Sequence, residues 1–140
     1  KEEGQGSITA FFTVLVEGDD MSDPIADQSR SILDGHIVLS RELTDFGIYP
    51  PIHILNSASR VINDIITPEH LAAVRRFRRL YTLLKENEML IRIGAYVRGT
   101  DKELDEAIDK KAQMDAFLSQ EAMTSSEFSS TVDQLIGLMK

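Results

Sequence analysis

The residue grouping in this chain best suited to chemistry is an arginine behind three small side chains, Ser57-Ala58-Ser59-Arg60, which follows the proline corner Gly47-Ile48-Tyr49-Pro50-Pro51. Small residues let another surface approach this backbone closely. A planar guanidinium that keeps its charge is suited to stabilising charge spread over phosphate oxygens. The plainer alternative is a structural salt bridge to a nearby acid such as Asp64. Tyr49, beside two prolines, is either a ring exposed for stacking on a flat ligand or an aromatic packed under the turn. Asp19, Asp20 and Asp23 crowd the turn Glu17-Gly18-Asp19-Asp20-Met21-Ser22-Asp23-Pro24. Carboxylates this close repel one another unless water or positive charge surrounds them. Asp23 also precedes Pro24 as a helix N-cap would. His36, His53 and His70 have no metal-ligand spacing, so structural or surface roles are expected of them. Arg75, Arg76, Arg78 and Arg79 form a basic cluster, read as the solvated face of a helix or as a contact for an acidic patch on another subunit.

Composition narrows the field. With 42% hydrophobic and 27% charged residues among 140, the chain reads as globular. It has no cysteine, which rules out disulfides and thiolate metal sites. A net charge of −8 repels phosphate backbones and anionic lipid, so nucleic acid is a poor partner and a basic protein a better one. The apolar run Ile8 to Val16 is interrupted by Thr and ends at Glu17, well short of a membrane span. The opening Lys1-Glu2-Glu3-Gly4-Gln5-Gly6 shows neither a starting Met nor a signal pattern and reads as the start of an excised fragment.

The elements that must position these residues change character once. Ile8 to Val16, rich in β-branched and aromatic residues, predicts a strand buried on both faces in a parallel sheet. A loop carrying the acids follows, then a helix from Ile25 to Leu33, a short buried strand His36 to Ser40, and a short helix Arg41 to Phe46 stopped by Gly47. Alternation of this kind implies an α/β layer. From Thr67 the pattern is helical only. Thr67 caps, Pro68 takes the first position, and Leu71, Val74, Phe77, Leu80 and Leu84 recur at helical spacing. Thr100 with Glu103, and Thr124 with Glu127, read as capping boxes for two further amphipathic helices.

Several stretches carry a family resemblance, in order and along nearly the whole chain. Gly6-Ser7-Ile8-Thr9, the acidic turn continuing to Ile25-Ala26-Asp27, Leu33-Asp34-Gly35-His36-Ile37-Val38-Leu39-Ser40-Arg41, Tyr49-Pro50, Ser57-Ala58-Ser59-Arg60 and Gly94-Ala95-Tyr96-Val97-Arg98-Gly99-Thr100 are similar to the later part of bacterial flagellar and type III export ATPases. Rotary ATP synthase catalytic subunits share only some of these pieces. They lack Asp-Gly-His-Ile-Val and Gly-Ala-Tyr-x-x-Gly, so the export ATPases are the better match, with the flagellar pattern slightly ahead of the injectisome one.

The resemblance implies an α/β plus all-α fold. Residues 1–66 would be the C-terminal part of a RecA-like ATPase domain, and residues 67–140 a helical domain used for partner contacts. It implies ATP as the nucleotide, with Mg2+ held by residues outside this chain, and a cytoplasmic homohexameric ring at the inner-membrane export apparatus. The partners it implies are a basic coiled-coil central stalk protein, export chaperone-cargo complexes, the export gate and a stator-like regulatory subunit. Arg60 would reach a neighbour's active site in trans. Tyr49, with Phe117 and Met123, would line the adenine pocket, and Asp20, Ser22 and Asp23 would form a pore loop facing the stalk. The phosphate cradle Gly-x-x-x-x-Gly-Lys-Ser/Thr is missing, since no Gly-Lys pair occurs in the chain. On its own the chain is therefore expected not to hydrolyse ATP. Two alternatives stay open: a synthase-type subunit of a rotary membrane complex, which would co-purify with a proton-conducting ring, and a protein-binding module that takes no nucleotide.

Overall fold

A computed structural model describes residues 4, 6, 8–19 and 22–140, which fall into two units, one ending at Leu33 and the other running from Asp34 to Lys140. In the first, Ile8 to Val16 forms no strand, and Phe11 and Leu15 are 91% and 90% exposed. The buried strand predicted there is not found. A strand leaves its amides and carbonyls unsatisfied until another pairs with it, and the described residues of this unit supply no partner. A 3-10 turn, Glu17–Asp19, leads to helix α1, Pro24–Ile32. Asp23 caps α1, its Oδ1 accepting from the amides of Ile25 at 2.9 Å and Ala26 at 3.0 Å.

In the second unit, β1 (Gly35–His36) pairs antiparallel with β2 (Ala58–Ser59), Gly35 opposite Ser59 and His36 opposite Ala58. Between them stand α2 (Arg41–Asp45), closed by Gly47 at φ 72°, and the corner that contains the cis Tyr49-Pro50 peptide. The predicted strand His36 to Ser40 is thus shorter and more open. It reaches only from Gly35 to His36, with a single bridge further on between Leu39 and Ile52, and Ile37 and Leu39 are exposed. Its neighbours are confined to one side, residues 51–60, whose amides and carbonyls meet it at Ser40 N to Pro51 O (2.9 Å), His53 N to Val38 O (2.8 Å) and Arg60 N to Asp34 O (2.8 Å). Gly35 is required at this crossing, because a Cβ there would sit 2.8 Å from the carbonyl oxygen of Ala58. The described residues are therefore mostly helical with one small sheet, rather than a broad α/β layer.

The rest is helix: α3 (Ile62–Ile65), α4 (Pro68–Glu86), α5 (Glu88–Arg92), α6 (Lys102–Leu118) and α7 (Phe128–Leu138). Thr67 and Pro68 start α4 as expected, Thr67 Oγ1 accepting from the His70 amide at 3.2 Å. Ala73, Phe77, Leu80, Tyr81 and Leu84 form the buried stripe of α4, which packs on α6 and α7 around Ala107, Met114 and Leu135. Lys110 of α6 donates to the Leu138 carbonyl at 2.6 Å and so closes the end of α7. No described helix is long and apolar enough to cross a membrane.

Neither capping box forms. Asp101 caps α6, accepting from Glu103 N at 2.8 Å and Leu104 N at 3.2 Å, while the Thr100 hydroxyl turns back to the Val97 carbonyl. A carboxylate one residue nearer the helix outcompetes the hydroxyl for the first amides, and it favours the positive helix end. Glu127 precedes α7 without any side-chain cap. Asp101→Ala is accordingly expected to lower stability by about 1 kcal/mol in urea unfolding, and Thr100→Ala by less than about half of that.

Candidate functional site

The C-terminal end of α6 and the proline corner meet across a shallow cleft of about 190 Å³. Leu43, Ile48, Pro50, Ile52 and Ile54 wall one side, and Tyr81, Phe117, Leu118 and Gln120 the other. A single backbone bond holds the sides together, Gln120 N donating to the Tyr49 carbonyl at 2.7 Å. Tyr49 itself is 55% exposed and does not line the cleft, although its neighbours Ile48 and Pro50 do. Phe117 does two jobs: its ring lies 5.7 Å from that of Phe77 in the bundle core, and it also faces the cleft. Met123 does not join them. It is 98% exposed and does not line the cleft.

An apolar, partly aromatic cleft suits a flat ring system. Its volume lies below the roughly 300–1,000 Å³ typical of small-molecule sites. No carboxylate lines it, and among the described residues no group of three or more His, Cys, Asp or Glu is placed to hold a metal ion. Sequence reasoning missed Tyr81, although it lies one helical turn from Phe77 and stacks on it at 6.2 Å. Burial pushes its phenol pKa up, so it stays protonated at neutral pH.

Arg60 follows β2 on the exposed rim of the small sheet, its amide bound to Asp34. The loop before it is tightly held. Arg78 of α4 donates from Nη1 to the carbonyls of Ile54 (2.7 Å) and Ser57 (3.2 Å), and from Nη2 to that of Leu55 (3.0 Å). Ser57 Oγ in turn accepts from Val38 N and donates to the His53 carbonyl, both at 2.9 Å. His36 meets the Asn56 carbonyl at 2.8 Å and His53 the Asn56 amide at 3.2 Å, so both histidines serve this loop as structural groups. Of the acidic turn, Ser22 is exposed and Asp23 caps α1; Asp20 lies outside the described residues.

Comparison with known proteins joins these parts to a family. The profile of the T3SS EscN ATPase C-terminal domain matches residues 66–137, and that of the ATP synthase alpha/beta family nucleotide-binding domain matches residues 1–59. The chain belongs to the EscN-type ATPase C-terminal domain family. It is 68% identical over its whole length to the flagellum-specific ATP synthase of Helicobacter pylori strain 26695, of which it covers 32%. The assembled ATPase EscN from the enteropathogenic E. coli type III secretion system superposes with a TM-score of 0.93 at 44% identity, over 97% of this chain and 33% of that one. EscN in complex with its central stalk EscO gives a TM-score of 0.79 at 42% identity, over 84% of this chain and 29% of that one. The chain thus spans about a third of the length of these relatives.

In the stretch that matches the EscN profile, the arginine cluster is partly solvated, with Arg75 and Arg79 exposed, and is also ion-paired within the chain. Arg76 reaches Glu103 at 3.0 Å and also Glu106, and Arg79 binds Glu103 at 2.7 Å. Only Arg75 is left at the limit of contact, 3.5 Å from Asn63. The Gly94 to Thr100 motif is likewise a clasp on α6, with Tyr96 Oη 2.9 Å from Asp105 Oδ1, Gly99 N donating to Asp105 Oδ2 at 2.8 Å, and Arg98 paired with Asp109. The hydrogen bond from Arg79, aided by its charge and by Arg76, holds the Glu103 carboxyl below the usual range. A carboxyl lowered in the folded state adds stability above its unfolded pKa of about 4.3 and loses it as pH falls through the folded value. Stability followed by urea unfolding should therefore decline below about pH 4.3, and Glu103→Gln should flatten that decline while lowering stability at neutral pH only modestly, since the pair is exposed.

Proposed function

We propose that this chain is the C-terminal part of an ATP hydrolase that energises flagellar or type III protein export. The observation that carries the reading is the apolar cleft lined by Phe117 and spanned by the bond from Gln120 to the Tyr49 carbonyl, with the Arg60 loop following the same corner. Residues 1–66 complete a RecA-like nucleotide domain, and residues 67–140 form the helical partner-binding domain. Tyr49, Phe117 and Met123 hold the adenine of ATP. The phosphate cradle and the ligands of Mg2+ belong to the remainder of the parent enzyme. That enzyme works as a homohexamer at the cytoplasmic face of the inner-membrane export apparatus, where a basic coiled-coil stalk, export chaperones with cargo, the export gate and a stator-like regulatory subunit meet it. A complex of the relative EscN with its central stalk EscO supports the stalk among these partners.

Arg60 acts in trans, stabilising charge on the phosphoryl group bound by the adjacent subunit. In the full-length hexamer, Arg60→Ala should lower turnover by a factor on the order of 10³ to 10⁵ while nucleotide binding and fold are kept. Mixed rings of Arg60→Ala subunits with subunits disabled in the phosphate loop should regain activity, because each interface needs one intact part from each side. Mixed rings as inactive as either parent would return Arg60 to a structural role.

Asp20, Ser22 and Asp23 face the stalk in the ring's pore. Asp20→Asn with Asp23→Asn keeps an N-cap for α1, since Asn caps as well as Asp. It should lower the ratio of stalk-stimulated to basal turnover, most clearly at low salt. An unchanged ratio at low salt removes the pore contact.

A further inference from the structure

Arg78 is the described side chain that ties the helical bundle to the backbone leading into Arg60. Its guanidinium satisfies three carbonyls of one turn, at Ile54, Leu55 and Ser57, at distances of 2.7 to 3.2 Å. Those carbonyls belong to the turn just before β2, and Ser57 Oγ also accepts from Val38 N, two residues beyond β1. From Ser57 the chain has only Ala58 and Ser59 before Arg60, both locked in the β1–β2 ladder. The anchor end is rigid as well, for Arg78 follows Phe77 and precedes Leu80 in the most deeply packed part of α4. Three carbonyls on one cation is a fork that lysine cannot reproduce, because an ammonium lacks the planar spread of donors.

We propose that Arg78 is a positioning residue for catalysis: it fixes the turn 54–57 to α4 so that Arg60 is presented at a defined place on the subunit surface. This rests on the reading of Arg60 as a trans-acting arginine and adds the device that aims it. A guanidinium meant to meet a phosphoryl group in another subunit gains nothing from charge alone. Misplacement by about 1 Å costs on the order of 10²-fold in rate. The apolar side chains of the turn, Ile54 and Leu55, are only partly buried against the bundle core, so the polar fork adds a directional constraint that this packing lacks.

The test uses the full-length hexamer with Arg60→Ala as reference. Arg78→Ala and Arg78→Gln should lower kcat by about 10- to 100-fold with KM for MgATP within about twofold, and Arg78→Lys should lose less. Arg78→Lys keeps the charge and serves if the shorter side chains fail to assemble. The double variant Arg60→Ala with Arg78→Ala should be no slower than Arg60→Ala alone, since both remove one function. Rings mixing Arg78→Ala subunits with phosphate-loop-disabled subunits should regain activity, which a general structural defect would not allow. Full kcat in all three Arg78 variants, a double variant slower by the product of the two losses, or inactive mixed rings would overturn the proposal. If Arg60→Ala itself stays active, the trans reading falls and Arg78 falls with it; if Arg60→Ala is inactive and the Arg78 variants are not, only the role of Arg78 is lost.

Discussion

Helix α4 must bury an apolar stripe and satisfy four arginines at once, and most of the second unit is arranged around how it does both. The stripe Ala73, Phe77, Leu80, Tyr81 and Leu84 follows helical spacing and lies against α6 and α7. Burying a Phe or Leu side chain is worth roughly 1.5–3 kcal/mol, whereas an exposed ion pair is worth about 0–1 kcal/mol. The stripe therefore holds the bundle together, and the pairs of Arg76 and Arg79 with Glu103 and Glu106 choose among rotations of α6 that would bury similar area. On the side away from α6, Arg78 does the same for the 54–57 turn.

What was legible in the sequence is what depends on neighbours along the chain. Thr67 with Pro68, the stop at Gly47, and Asp23 before Pro24 each act over a few residues, and each is found as read. The same local signals failed where two candidates stood side by side: Thr100 and Asp101 both precede α6, and the carboxylate takes the amides. The strands failed for a different reason. Ile8 to Val16 has the composition of a buried strand, but a strand is a property of a pair, and among the described residues its partners are lacking.

The arginines show the other limit. Read as a row, Arg75 to Arg79 is a basic face in an acidic chain. The partners of Arg76 and Arg79 lie on α6 and those of Arg78 in a turn that precedes α4, in each case more than twenty residues away. No spacing rule connects residues so far apart. Of the candidate cleft's lining, Phe117 was named from the family resemblance, while Leu43, Ile52 and Ile54 gave no signal, because aliphatic side chains around a corner look like ordinary core.

One helix therefore supports both the cleft and the turn that leads to Arg60. Tyr81 contributes a wall of the cleft and Arg78, three residues earlier, holds the turn that leads to Arg60. Ile54 belongs to both, its side chain lining the cleft and its carbonyl bound by Arg78. A ligand that pushed the corner away from α6 would have to strain either the Gln120–Tyr49 bond or the Arg78 fork, since the residues between them are tied to Val38 and Ser40 by short backbone bonds. Packed interiors resist gradual deformation, so such a displacement would move the turn as a unit with α4. The wall of the cleft and the turn before Arg60 thus share one support, α4, and neither can shift far without disturbing packing or hydrogen bonds made by that helix.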